Sequence, residues 1–261
     1  MRLSYSLSSF KWLWLFAILV ACFHGQASYG QSREQVDVYY KPIAPLLRLN
    51  QASQTLAKNL DSLTTTVRFS RSTVSTEFDR DIDFGATHRR TVINANGIIF
   101  QLDAVSRNGH IIALAAATTE LGADSIKQKN VLLQSCDTAS VLQFVANRNA
   151  FYQSRKTLPD FFVELQANEL YALTCGDSSP KTSRYLQIED LARHNQVSIL
   201  AEWLASIHCE TQAYAVTGFD MIKSKRKILL QQQLLIKHIK QRNAVLVTCA
   251  GCLAGLKRTI Y

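Results

Sequence analysis

Apolar and polar residues alternate most regularly between residues 87 and 117. A spacing of two is typical of a strand, because successive side chains point to opposite faces. The stretch holds two Asn-Gly pairs, at residues 96–97 and 108–109, and Asn-Gly favours the tight turn whose twist matches a hairpin. We therefore predict a three-stranded antiparallel meander over residues 87–117 with one buried face. One series of alternating positions is Ile98, Phe100, Leu102 and Ala104.

Leucines upstream of the meander recur at spacings typical of one helix face. They are Leu46, Leu49, Leu56, Leu60 and Leu63. Pro45 suits a first helical turn, where no backbone N–H is needed, so we predict a helix over residues 45–63. Residues 64–78 alternate again and are rich in Thr, Ser, Val and Phe, which predicts one or two further strands.

Beyond Gly122 the spacing becomes typical of helices. Asp124 and Asp137 are suited to be N-caps, because a carboxylate accepts hydrogen bonds from the free N–H groups of a first turn. We predict a first helix with Ile126 and Leu133 on one side. The second helix is lined by Val141, Phe144, Val145 and Tyr152.

Four later segments complete the predicted pattern: a short helix at residues 158–165, a strand at 169–174, an amphipathic helix at 222–239 and an apolar stretch at 244–256. The fold class that follows is α+β, with an N-terminal helix and small antiparallel β-meander followed by a mainly helical C-terminal half.

The predicted domain organisation has three parts. A signal peptide occupies residues 1–22, a helix with an antiparallel sheet residues 33–120, and a helical region residues 121–261. Within the helical region, the turn-forming sequence Gly-Asp-Ser-Ser-Pro-Lys at residues 176–181 is the predicted internal boundary.

The first residues are typical of an export signal. Arg2 and Lys11 supply positive charge, residues 12–21 are an unbroken apolar run, and no acidic residue occurs before Glu34. The run is shorter than the about 20 residues that cross a bilayer as a helix, which favours a cleaved signal over a retained anchor.

The end of this run, Leu19-Val20-Ala21-Cys22, resembles the lipobox of bacterial lipoproteins. The resemblance covers four residues and implies lipidation of Cys22, with cleavage before it. The alternative is an ordinary signal-peptidase site that ends at Ala27 or Gly30. Both routes predict an extracytoplasmic location in the bacterial periplasm, and the lipid would anchor the protein to a membrane surface.

The formal net charge is +9. In an exported protein this charge favours anionic lipid head groups or cell-wall polymers as partners, whereas in a cytosolic protein it would favour nucleic acid. Basic residues are concentrated in and around the predicted amphipathic helix at residues 222–239. Two interpretations of this helix stay open: contact with an anionic membrane surface, or a packed helix with a solvated basic face. The cations concerned are Lys223, Lys225, Arg226, Lys227, Lys237, Lys240 and Arg242.

The cysteines do not have the spacing of a small disulfide scaffold. Without Cys22 five remain, so we expect at most two disulfides and leave their pairing open. Cys249 and Cys252 form a Cys-x-x-Cys pair, for which a redox or metal role is the alternative to simple packing of small residues.

One loop invites a catalytic interpretation. Gly-Asp-Ser-Ser-Pro at residues 176–180 resembles the Gly-Asp-Ser-Gly-Gly-Pro loop of trypsin-like proteases and the opening of Gly-Asp-Ser-Leu esterases. The resemblance implies Ser178 as a nucleophile, with His88 as a candidate base. The protease glycines and the later esterase blocks are missing, which favours a capping turn and puts a serine-hydrolase role in doubt.

Two other motifs are incomplete. Asp79, Asp81 and Asp83 alternate and are candidate ligands for calcium, but the glycine and glutamate of a calcium loop are replaced, which favours a solvated turn. Residues 188–207 resemble a helix-turn-helix, although Gln196 replaces the turn glycine and Glu202 stands where an apolar residue belongs.

The sequence therefore predicts an exported, envelope-associated interaction or scaffolding protein, lipid-anchored or free, without catalytic activity and without a cofactor. Its predicted partner is a membrane surface or an envelope protein. Two alternatives are a serine hydrolase that uses Ser178 and a basic nucleic-acid-binding protein that uses residues 188–207. An export signal argues against the second alternative.

Overall fold

The computed structural model describes residues 33–63, 72–95, 98–121, 126–222 and 228–261. The chain splits into two compact units, Met1–Val38 and Tyr39–Tyr261. The described part of the first unit is the start of helix α1 (Arg33–Tyr40). The other described helices and strands lie in the second unit.

A five-stranded antiparallel meander forms the larger sheet of the second unit, with neighbouring strands in sequence order. The α+β class is confirmed, and the predicted meander is the centre of a larger sheet. The prediction of one buried face is wrong, because residues 100–106 are buried on both faces, with Gln101 and Asp103 among them. Asn108 and Gly109 both have positive φ and join two of its strands, as the Asn-Gly pattern predicts. The second Asn-Gly pair, at residues 96–97, lies outside the described residues. The strands are β1 (Ser72–Asp81), β2 (Ala86–Ala95), β3 (Ile98–Arg107), β4 (His110–Leu121) and β5 (Ile126–Cys136).

Strand β5 corrects the prediction of a helix through Ile126 and Leu133. The seven-residue spacing of these two residues fits two helical turns, but the segment pairs along β4 instead. That pairing contains two bulges, and each bulge shifts the alternation by one residue, which hides a strand pattern in the sequence. Asp137 is confirmed as an N-cap, because it accepts from the backbone N–H of Ser140. Asp124 lies outside the described residues.

The predicted helix over residues 45–63 is wrong as a single element. The structure has a short 3-10 turn (Ala44–Leu46) and then helix α2 (Ser53–Leu63). Between them the backbone pairs with the start of β4: Asn50 N donates to Ile111 O at 2.9 Å, and Ile111 N donates to Gln51 O at 3.0 Å. Asn50 N and Gln51 O are therefore paired with β4 and not with the backbone groups that a continuous helix would offer them.

The C-terminal half is mainly helical, as predicted. Residues 169–174 are not a strand and make only isolated bridges. The amphipathic helix starts later than predicted, and the apolar stretch at 244–256 forms a two-stranded hairpin. The elements are α3 (Thr138–Tyr152), α4 (Leu158–Gln166), α5 (Ser183–Arg193), α6 (Val197–Leu204), α7 (Cys209–Met221), α8 (Leu230–Arg242), β6 (Leu246–Ala250) and β7 (Leu253–Arg258).

Hydrophobic clusters among the described residues hold these elements together, and two of them are large. The first joins the sheet to α3 and α4 and includes Val105, Phe144 and Phe161. The second joins α5 to α8 around Leu200 and Phe219. None of the described helices is long and apolar enough to cross a membrane.

Candidate functional site

The turn between β1 and β2 has an unusual backbone. Asp83, Phe84 and Gly85 follow one another with φ of 87°, 55° and 68°. A positive φ is unfavourable for residues with a Cβ, so the turn must be held by other contacts. Backbone hydrogen bonds between Ile82 and Ala86, at 3.0 Å, and from Ala86 N to Asp83 O, at 3.0 Å, close it.

The buried Asp83 carboxylate holds this turn by accepting four side-chain hydrogen bonds. Arg148 and Tyr152 each donate to Oδ2 at 2.7 Å. Arg242 reaches Oδ1 at 2.7 Å, and His238 Nε2 donates to the same oxygen at 2.9 Å. Burial alone would raise the pKa of the Asp83 carboxyl, but the two arginines outweigh it and hold the pKa well below its ordinary value.

A cavity of about 390 Å³ opens beside this carboxylate. Phe84 and Phe151 form an aromatic wall, with ring centroids 5.7 Å apart, and the half-buried His238 ring lies 4.9 Å from that of Phe151. The remaining lining residues are Asp81, Asp83, Gln241 and Arg242. The lining offers an imidazole oriented by a carboxylate but no hydroxyl or thiol, so its chemistry suits binding of a small polar molecule better than nucleophilic attack.

A second buried ion pair joins the sheet to the helical half. Arg80 on β1 donates to both oxygens of Glu210 on α7, at 2.6 and 2.8 Å. Glu210 also accepts from Val247 N at 2.8 Å and from His208 Nδ1 at 3.1 Å. Arg80 holds the pKa of Glu210 well below its ordinary value, although burial alone would raise it. One carboxylate thus ties together β1, α7 and β6.

A third cluster surrounds Asp103 on β3. Arg90 donates to Asp103 at 2.7 Å, Gln101 at 2.6 Å and His88 Nε2 at 2.8 Å. Burial lowers the pKa of His88 to about 4, which keeps its ring neutral at pH 7. Arg90 also donates to the Leu165 carbonyl at 2.9 Å, so this cluster positions the end of α4.

The three aspartates proposed as calcium ligands have separate surroundings. Asp79 and Asp81 are exposed at the end of β1, and Asp79 lies 3.5 Å from Arg89. Asp81 accepts the backbone N–H of Asp83 at 2.8 Å. Asp83 faces the two arginines described above. Within the described residues, no group of three or more His, Cys, Asp or Glu has a geometry that could hold a metal ion.

Ser178 lies on an exposed loop with a φ of 62°. The structure does not bring it together with His88, which is buried in the sheet and bonded to Asp103. The adjacent Asp177 instead accepts a hydrogen bond from the Cys252 thiol at 2.6 Å. The serine-hydrolase alternative therefore gains no catalytic pair from the residues that the structure describes.

Residues 188–207 form parts of α5 and α6, joined by a turn in which Asn195 has a φ of 54°. Leu200 and Leu204 pack inside, and Glu202 is exposed. Arg184 at the start of α5 stacks over Trp203, 4.2 Å from its ring centroid, and pairs with Glu169 at 2.6 Å. This cation belongs to an internal contact of the helical half.

The candidate cations for membrane contact have different surroundings, and several lie outside the described residues. Lys223, Lys225, Arg226 and Lys227 lie outside the described residues, as does Cys22. Lys237 is exposed on α8, whereas Lys240 pairs with Asp220 at 3.0 Å. Arg242 is almost fully buried and neutralises Asp83. Of the three described cations, Lys237 is the one placed for an external anion.

The outward face of α8 carries the exposed side chains of Leu230 and Leu234 together with Lys237, and Leu229 is the N-cap that precedes the helix. Leu229, Leu230 and Leu234 are 64%, 72% and 53% exposed. Leu235 and Ile239 occupy the opposite side and are buried in the helical cluster. This exposed face is a candidate interaction surface, because soluble proteins rarely leave large apolar side chains grouped at the surface.

One disulfide is present among the described cysteines, between Cys175 and Cys249. Cys136, Cys209 and Cys252 are free thiols, and Cys252 is exposed. Sequence reasoning missed the buried ion pairs, although it had a signal. Phe78, Arg80 and Ile82 alternate at the end of β1 and just beyond it, and this spacing places an arginine among buried residues. No family model, no curated protein and no solved structure matches this chain.

Proposed function

We propose that this chain is an exported, envelope-associated interaction or scaffolding protein that contacts an anionic membrane surface through α8. The observation that carries the proposal is the exposed leucine face of Leu229, Leu230 and Leu234. A helix with leucines on one face and basic residues beside it binds in the plane of a membrane interface. Catalysis has no part in this role.

The positive charges in and before α8 also support contact with an anionic membrane surface. The segment that leads into α8 contains Lys223, Lys225, Arg226 and Lys227, and Lys237 lies on the leucine face itself. Each cation near an anionic bilayer contributes about 1 kcal/mol to attraction. The leucines would then insert below the head groups, where burial of apolar surface adds to the binding free energy.

The disulfide between Cys175 and Cys249 supports an oxidising compartment. Structural disulfides persist in the periplasm and outside cells, whereas cytosolic thiols are kept reduced. Together with the export-signal pattern of residues 2–21, it supports a location outside the cytoplasm, where anionic lipid and cell-wall polymer are the available anionic surfaces.

Membrane contact is tested by co-sedimentation with vesicles. We expect the protein without its signal to bind vesicles of phosphatidylglycerol and phosphatidylcholine, and Leu230→Glu with Leu234→Glu to weaken this binding by about tenfold or more, because two carboxylates would enter the bilayer interface. The matched control is Leu142→Glu with Val163→Glu, which adds the same charge on α3 and α4 at residues that are also exposed. Equal binding by the two double variants would contradict the proposal.

Export is tested by the intact mass and N-terminal sequence of the mature protein from a bacterial envelope fraction. We expect cleavage, either before a diacylated Cys22 or after Ala27 or Gly30. In the first case Cys22→Ala abolishes the lipid mass, and in the second it leaves the mature N-terminus unchanged. A mature chain that retains Met1 would refute the proposed location.

A further inference from the structure

Three cysteines converge where the loop after residue 174 meets the hairpin of β6 and β7. Cys175 and Cys249 form the disulfide, and Cys249 lies at the end of β6. Cys252, in the turn of the hairpin, donates its thiol hydrogen to Asp177 Oδ1 at 2.6 Å. The free thiol of Cys252 is therefore held against Asp177, which lies two positions after Cys175. Cys252 itself lies three positions after Cys249.

Backbone hydrogen bonds hold the two segments together. Gly176 N donates to Gly251 O at 2.7 Å, and these glycines directly follow Cys175 and precede Cys252. The Cys249 sulfur lies 3.3 Å from the same Gly251 carbonyl. Both turns use glycines with positive φ, at Gly176 (94°) and Gly251 (58°), a backbone conformation that residues with a Cβ rarely adopt.

We propose that Cys252 and the Cys175–Cys249 disulfide form a thiol–disulfide exchange site. In the exchange, the Cys252 thiol gives its proton to a base and its thiolate attacks one sulfur of the disulfide. A new bond forms between Cys252 and the attacked sulfur, the old S–S bond breaks, and the displaced thiolate takes up a proton. The reaction consumes no oxidant or reductant, because one disulfide and one thiol stand on each side.

The site has two products with different consequences. Attack on Cys249 closes a disulfide within the hairpin turn and frees Cys175, so the link between the loop and the hairpin is lost. Attack on Cys175 keeps the link and moves it to Cys252. Either product places Cys252 in a disulfide and releases a different thiol, whose thiolate can in turn attack a disulfide of a partner protein.

Asp177 controls the pH at which exchange starts. Its carboxylate accepts the thiol hydrogen, and this hydrogen bond raises the pKa of Cys252. Only the thiolate is a nucleophile, so a raised pKa keeps the site quiet at neutral pH and lets it react as the pH increases. Removal of the negative charge at residue 177 should lower the pKa and move the onset of exchange to lower pH.

The experiment maps disulfides in the oxidised protein with Cys22→Ala. Samples held from neutral to alkaline pH are quenched with acid, free thiols are trapped with N-ethylmaleimide, and linked peptides are identified by mass spectrometry. We expect peptides that link Cys252 to Cys249 or Cys175 to increase with pH and to reach at least about a tenth of the chains. Detection of only the Cys175–Cys249 link at every pH, with Cys252 fully alkylated, would overturn the proposal.

Three variants sharpen the result. Cys252→Ser must remove all exchanged species, and Cys136→Ser, which deletes a free thiol on β5, must leave their yield unchanged. Asp177→Asn must shift the onset to lower pH by about one unit, as expected for loss of a carboxylate that holds the thiol proton. An unshifted onset would refute the role of Asp177. None of these outcomes depends on membrane binding, so the exchange site and the proposed function fail or hold separately.

Discussion

Glu210→Gln is expected to lower the free energy of unfolding by about 3–5 kcal/mol. The substitution keeps the shape of the side chain but removes the charge that neutralises Arg80, and both side chains are almost fully buried. A buried guanidinium keeps its proton, so it would remain charged without a counter-ion. The cost of that unpaired charge exceeds the value of the hydrogen bonds themselves.

Glu210 contacts several elements, so its substitution should lower the free energy of unfolding of the whole second unit. Its carboxylate contacts Arg80 on β1, and its Oε1 accepts the backbone N–H of Val247 on β6. It also stands in the first turn of α7, where a negative charge is favoured by the helix dipole. A Gln side chain replaces a carboxylate oxygen with an NH₂ donor, so one of the donors that faces Glu210 loses its acceptor.

Urea unfolding at neutral pH measures this effect. The matched control is Glu189→Gln, which removes a carboxylate from an exposed pair with Lys181 and should change stability by less than about 1 kcal/mol. A double variant, Arg80→Met with Glu210→Leu, should recover most of the loss, because it removes both charges. A Glu210→Gln protein as stable as the wild type would show that the ion pair does not join the sheet to the helical half.

The central hairpin could be predicted from the sequence because its signals are local. The Asn-Gly turn at residues 108–109 and the alternation through β3 depend on neighbours a few residues away. The Asp137 cap is equally local, since it bonds the N–H three residues later. These elements have the same form whatever packs against them.

Strand β5 and the break in the predicted helix over residues 45–63 could not be predicted, because they depend on contacts that are distant in sequence. Each depends on pairing with β4, whose backbone bonds and bulges have no signature in the paired segment itself. The disulfide is similar: its cysteines lie 74 residues apart and meet because Tyr171 N donates to Val247 O, which draws the loop beside β6. An odd number of cysteines left several pairings open.

The candidate site shows the same limit in its charges. Asp83 was visible as one of three alternating aspartates, which favoured a solvated turn or a metal. Its partners are separated from it by 65 residues for Arg148 and 155 for His238. Only the fold shows that the negative charge is balanced by cations from α3 and α8.

Asp83→Asn is therefore expected to destabilise the protein by about 3–5 kcal/mol, because it leaves Arg148 and Arg242 buried without their shared counter-ion. Asp83→Gly separates charge from backbone strain: it relaxes the positive φ but still removes the carboxylate, so it should remain destabilised by several kcal/mol. Asp79→Asn is the exposed control and should cost less than about 1 kcal/mol.

The pH dependence of the same variant provides an independent test. The folded pKa of Asp83 lies below its value in the unfolded chain, which is about 4. Its stabilisation is therefore fully present above that unfolded value and is lost as the pH falls towards the folded pKa, because the unfolded state then binds a proton that the folded state does not. Urea unfolding should show a constant difference between wild type and Asp83→Asn from neutral pH to about pH 5 and a smaller difference below about pH 4. A difference that stayed constant down to the lowest pH at which the wild type folds would show that the arginines do not act through the ionised carboxylate.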